Sequence, residues 1–99
     1  MVTTAHTLHL LAAAPKLWPT LLPEIESVWQ HGDQLLLLAA GAAGVNRPEL
    51  SGFDAVALLD TDAAVLSLNQ ADIPARVQYA TASDWATWTL DYPRTITWR

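Results

Sequence analysis

The sequence predicts an α/β domain: a mostly parallel, five-stranded sheet with helices on both faces. Three observations carry that prediction. Short apolar runs alternate with helical stretches along all 99 residues, the order that successive strand-helix-strand units produce. The run Leu35-Leu36-Leu37-Leu38 is apolar toward both sides of a strand, as a strand covered on both faces must be. Pro, Gly, Ser, Thr and Asp stand where helices would begin and end.

Thr3 to Leu11 forms the first strand, with imperfect alternation because both faces become partly covered. Pro15, Pro19 and Pro23 then rule out one continuous helix through this stretch. Pro23 suits the first position of a helix, where its missing N–H costs nothing, with Glu24 and Glu26 on the favourable end of the dipole. Leu21, Leu22, Ile25, Val28 and Trp29 share a face of that helix. His31 and Gly32 end it, with Gly32 free to take a left-handed cap. Asp33 to Ala40 is the central strand, and Ala42 to Leu50 a short helix broken at Pro48. Ala55 to Leu59 is the third strand. A helix from Thr61 to Leu68 follows, capped by Asp60 or Thr61. Asp72, Ile73 and Pro74 turn the chain into a fourth strand, Arg76 to Tyr79. Ser83 to Tyr92 is a helix capped by Thr81 or Ser83 and stopped at Pro93. Thr95 to Trp98 is the fifth strand, rich in β-branched and aromatic residues.

Composition narrows the functions. A chain of this length allows one domain, and 52% hydrophobic residues suit a packed core. Only 15% of residues are charged, against the usual ~25%, as expected of a domain that hides part of its surface against a partner. The net charge is -5, and the cations Lys16, Arg47, Arg76, Arg94 and Arg99 are scattered. Grouped cations hold phosphate backbones, so direct nucleic-acid binding by this chain alone is not expected, nor is a polybasic membrane patch. Met1 to Ala14 lacks a cationic start and is interrupted by His6 and His9, unlike a signal peptide. Leu35 to Val45 falls short of a bilayer span. A soluble cytoplasmic protein is expected. There is no cysteine, which excludes disulfides, thiolate nucleophiles and soft metal ligation.

Several residues invite chemistry. Asp60-Thr61-Asp62 follows a buried strand and could bind Mg²⁺ or act in phosphoryl transfer; a cap and a first-turn acid explain the same residues. Gly41-Ala42-Ala43-Gly44 follows a strand where backbone N–H groups could approach a phosphate. It lacks the third glycine of a dinucleotide fingerprint and the lysine of a P-loop, so a helix-opening turn is favoured. His6 and His9 point to opposite faces of a strand and cannot share a metal. His31 suits a helix C-terminus. Ser27, Ser51, Ser67 and Ser83 sit in no nucleophile elbow. Trp85, Trp88 and Tyr92 lie along one helical face as core or as a binding surface. No catalytic, cofactor-binding or metal-binding residue is assigned.

Taken together, several segments resemble the DsrH/TusB family of sulfur-relay proteins, within the DsrE/DsrF/DsrH-like superfamily. His6-Thr7-Leu8-His9 begins the resemblance. Gly32-Asp33-Gln34-Leu35-Leu36-Leu37-Leu38 resembles that family's Gly-Asp-x-Leu-Leu-Leu-Leu. Val56-Ala57-Leu58-Leu59-Asp60-Thr61-Asp62 resembles its third strand and acidic turn. Ser83-Asp84-Trp85-Ala86-Thr87-Trp88-Thr89 resembles Thr-Asp-Phe-Val-x-Leu-Thr, and Thr97-Trp98 its frequent ending. Ala40-Gly41-Ala42 departs from the family's Asp-Gly-Val, Thr81-Ala82 from its Asp-Tyr, and Ile25 stands near where some members carry a cysteine.

The resemblance implies a three-layer α/β/α domain with a five-stranded parallel sheet. It implies a cytoplasmic subunit that joins TusC/DsrF-like and TusD/DsrE-like paralogs in a heterohexamer with two copies of each. Sulfur would pass as a persulfide, with the acceptor cysteine on the TusD/DsrE-type chain, toward 2-thiolation of the tRNA wobble uridine. A related branch serves dissimilatory sulfur oxidation. The matching Phe and Leu positions make Trp85 and Trp88 core residues. A chain without a thiol would then be a non-catalytic subunit, needing no cofactor. The alternative from the residues alone is a small nucleotide- or phosphate-binding enzyme using Asp60, Asp62 and the Gly41 turn.

Overall fold

A computed structural model describes residues 6–68 and 73–99. The strands are β1 (Thr7–Leu11), β2 (Gln34–Leu37), β3 (Val56–Leu59), β4 (Val77–Ala80) and β5 (Arg94–Trp98). The helices are α1 (Trp18–Val28), α2 (Asp60–Val65) and α3 (Ala82–Asp91). The sheet order is β4-β3-β2-β1-β5, and every neighbouring pair is parallel. From β1 to β4 the chain steps one way, and the side chains of α1 and α2 pack on one face of the sheet. From β4 it returns across the whole sheet to β5, with α3 on the other face. Direction and face reverse together, as a single hand for all crossovers requires. The expected α/β class, parallel sheet and helices on both faces are all present.

The leucine run explains the centre of the sheet. Leu35 and Leu37 enter the core beneath α1 with Leu11, Trp18, Ile25, Leu50 and Leu58. Leu36 enters the opposite core with Leu8, Leu10, Ala57 and Leu59. That second core is covered by Trp85 and Trp88 of α3 and by Tyr92 just after it, all half-buried. Thr81 caps α3 in a reciprocal box: its side chain accepts from the Asp84 N–H, and the Asp84 carboxylate accepts from the Thr81 N–H. This is the Thr-x-x-Asp form of a helix start.

Several boundaries differ from expectation. Pro23 lies inside α1 rather than at its start, and Pro19 occupies the first turn. An interior proline costs about 3 kcal/mol. Burial of Leu22 and Ile25 alone contributes roughly 1.5–3 kcal/mol each, and Trp18 is fully buried beside them, so packing overrides propensity. Pro15 opens a separate 3-10 turn, Pro15–Leu17. The helix ends at Val28 rather than at His31 and Gly32, with Trp29 extended. Gly32 takes φ +98° in the turn that follows, where the Asp33 N–H bonds the Gln30 carbonyl. β2 stops at Leu37, because Ala39 turns to φ +51° and a 3-10 segment, Ala39–Gly44, begins. A second one, Pro48–Gly52, completes the stretch expected to be one broken helix. β4 runs one residue later than expected, and β5 begins one residue earlier. α2 starts at Asp60 with Leu59 in the cap position, so neither Asp60 nor Thr61 caps it. It ends at Val65, three residues early, just before Ser67 turns to φ +56°. Thr3 to Ala5 of the expected first strand and Asp72 of the expected turn lie outside the described residues.

Candidate functional site

The most concentrated polar chemistry in the fold is a buried pair, His9 and Asp33. β1 carries His9 into the α1 side of the sheet, in register with Leu35 of β2 and Ile96 of β5. The turn after α1 delivers Asp33 just before β2. Both side chains are sealed from solvent, and His9 Nε2 lies 3.0 Å from Asp33 Oδ2. The same carboxylate accepts from the Thr7 N–H at 2.8 Å and the Gln30 N–H at 3.0 Å. Burial pushes the Asp33 pKa up, but these two backbone bonds and His9 outweigh it, and the carboxyl lies below its ordinary range.

The tautomer of His9 follows from its second partner. Trp98 donates its indole N–H to His9 Nδ1 at 3.1 Å. Nδ1 is therefore an acceptor, and the ring proton sits on Nε2, donating to Asp33. The imidazole also lies near-parallel to the rings of Trp29 and Trp98, with centroids 5.1 and 6.1 Å away. Both ring nitrogens are spoken for, so His9 has no lone pair to offer a metal or a substrate proton. What the trio does is mechanical: it ties β1, the approach to β2 and the end of β5 together.

Beside it lies a cleft of about 520 Å³, between Val28 and Trp29 at the end of α1 and Thr7, Arg94 and Ile96 on the strands. It opens at the amino ends of the strands. Open α/β sheets bind ligands at the opposite, carboxyl ends. Asp54 accepts the Trp29 indole N–H at 3.2 Å and lies 3.0 Å from His31 Nδ1. His31 thus lies beyond the end of α1, as an exposed partner of Asp54. His6 precedes β1, its ring fills the space beside Gly32, and its buried Nδ1 has no hydrogen-bond partner.

The carboxyl ends hold the residues that suggested phosphate or metal chemistry, and the chain uses most of them itself. Asp62 Oδ2 accepts the Ala39 N–H at 2.8 Å, pinning the turn after β2. A Cβ on Gly41 would collide with the backbone at Leu11, whose carbonyl carbon is 3.0 Å away. One on Gly44 would collide with the Trp18 ring and lie 2.9 Å from Pro15. These glycines permit close packing of the chain on itself. Asp60 is the exception: its Oδ1 is buried without a hydrogen-bond partner. Among the described residues no cluster of three His, Cys, Asp or Glu could hold a metal. Ser27 and Ser51 donate to nearby carbonyls, and no helix is long and apolar enough to cross a membrane.

The face carrying α3 is covered thinly. No residue of α3 is fully buried, and β5 is exposed from Arg94 to Thr97. The Trp85 indole N–H is buried without an acceptor. Leu90 points away from the sheet, 87% exposed. Burial and the charges of Asp33 and Asp91 push the Tyr92 phenol upward, keeping it protonated. The His9-Asp33-Trp98 trio had one sequence signal, a histidine inside an apolar strand and an aspartate at the entry to the leucine run. Their partnership across 24 positions had none. No family model and no curated protein matches this chain.

Proposed function

We propose that this chain is a non-catalytic subunit of a sulfur-relay complex of the DsrH/TusB kind, supporting 2-thiouridine formation at the tRNA wobble position. Its partners would be TusC/DsrF-like and TusD/DsrE-like paralogs in a heterohexamer. The observation that carries this reading is the thin cover of one sheet face: α3 buries no residue fully and leaves Leu90 outside. A surface of this kind is completed by a protein partner. The collinear sequence resemblance supports the choice of partner. The absence of cysteine supports the division of labour, since a chain without a thiol cannot hold a persulfide. The engagement of both His9 nitrogens, and of Asp62 and Gly41, supports a role without catalysis.

Co-expression with the two paralogs, followed by native mass measurement, tests the reading. A complex with two copies of each chain is expected, and after sulfur loading this chain alone should gain no sulfur mass. A chain with no affinity for either paralog overturns it. The unpartnered Oδ1 of Asp60 favours a second reading, a nucleotide- or phosphate-binding enzyme. Titration of Mg²⁺ and nucleotides against tryptophan fluorescence separates the two: a saturable response abolished by Asp60→Ala would establish the second.

A further inference from the structure

We propose that the outer edge of β5 pairs, antiparallel, with the same edge of a second copy of this chain, about a twofold axis at Ile96. The inference does not rest on the sulfur-relay reading and uses a different surface. Trp98 directs its carbonyl toward the β1 side of the strand, where it accepts from the Ala12 and Ala13 N–H groups at 2.9 and 3.2 Å. Along a strand the backbone groups of successive residues point to opposite edges. Arg94 and Ile96 therefore share the inward direction of Trp98, while Thr95 and Thr97 turn their N–H and C=O groups outward. Among the described residues no strand pairs with that edge.

Centred on Ile96, the register sets Thr95 against Thr97 of the second copy, and Thr97 against Thr95. Both are hydrogen-bonded pairs, giving about four backbone bonds across the axis. Ile96 meets its own copy in a non-hydrogen-bonded pair, where side chains come closest. Arg94 falls opposite Trp98, a cation opposite an indole. Thr95-Ile96-Thr97 reads the same in both directions, so like meets like about the axis, as an isologous interface requires. Sliding the register to set Thr97 against Pro93 loses a donor, because proline has no N–H. Ile96 is 37% exposed and Val28, across the cleft, 49% exposed, so apolar surface flanks the axis. The occupant this edge fits is a second β5.

One edge strand buries less than the ~1,600 Å² of a standard interface, so a dimer of micromolar affinity is expected. In analytical ultracentrifugation the mass should rise with concentration from 10.8 kDa toward twice that value. Thr97→Pro removes an outward donor while sparing the ladder to β1, and should weaken association about tenfold or more. The cysteine-free background supplies an independent readout. Ile96→Cys should form a disulfide-linked dimer on oxidation. Thr95→Cys alone should not, because the two thiols would sit on a diagonal beyond disulfide reach. Thr95→Cys mixed with Thr97→Cys should cross-link. A chain that stays at 10.8 kDa up to about 1 mM, or a folded Thr97→Pro variant with unchanged association, overturns the proposal. So does Thr95→Cys cross-linking to itself as readily as Ile96→Cys. If Thr97→Pro does not fold, the cysteine pairs decide.

Discussion

Replacing Asp33 by Asn tests whether the buried trio holds the sheet together. The two side chains are nearly isosteric, so the change is electrostatic. Asp33 accepts three hydrogen bonds, with Oδ1 serving Thr7 and Oδ2 serving both Gln30 and His9. An asparagine has one carbonyl oxygen. In its better orientation it keeps Gln30 and His9 and turns its NH₂ toward the Thr7 N–H, donor against donor. An unsatisfied buried donor costs about 1–3 kcal/mol, and the surviving bonds lose their charge assistance. A loss of roughly 2–4 kcal/mol is expected, a large share of the ~5–15 kcal/mol that holds a domain of this size together. The effect depends on pH with a definite sign. The Asp33 carboxyl is depressed in the fold below its ordinary value of 3.8. Its contribution is therefore complete above the unfolded value and is lost as pH falls through the folded one. Urea unfolding followed by tryptophan fluorescence measures this directly, since Trp29 and Trp98 flank His9. The gap between wild type and Asp33→Asn should be full at pH 7 and narrow below about pH 4. A gap under about 0.5 kcal/mol at pH 7, or one that widens at pH 3, refutes the reasoning.

Three further outcomes follow from the same structure. Trp98→Phe keeps the stacking on His9 but deletes the indole N–H, and should cost about 1 kcal/mol in urea unfolding. Gly41→Ala drives a methyl into the Leu11 backbone and should cost several-fold more than Gly52→Ala, whose Cβ meets only Glu26 Oε1 at 3.6 Å; thermal unfolding of the pair checks the contrast. Thr81→Ala removes one half of the α3 cap and should cost about 1 kcal/mol, seen as a lower thermal midpoint by circular dichroism.

The sequence reveals this fold where a local rule and the tertiary demand agree. Leu35, Leu36 and Leu37 of β2 announce burial on both faces, and Thr81 with Asp84 announces a helix start, because each signal lies within a few residues of its consequence. It misleads at α1, where Pro23 suggests the first position of the helix and the burial of Trp18, Leu22 and Ile25 carries the helix back to Trp18. It is silent on partnership. His9 and Asp33 are 24 positions apart, and Trp98 joins them from 89 positions beyond His9. The three meet only because β1 lies between β2 and β5, and no residue on its own encodes that order. The same topology decides what the aromatic residues mean. Trp98, on the last strand, becomes a clamp on the first, while Trp85 and Trp88 on α3 cover the opposite face without sealing it. A chain that holds the buried His9 between Asp33 and Trp98, yet leaves one sheet face thinly covered, has placed its rigidity inside and its unfinished surface outside. In the proposed sulfur-relay complex, that unfinished surface is the one a paralog would cover.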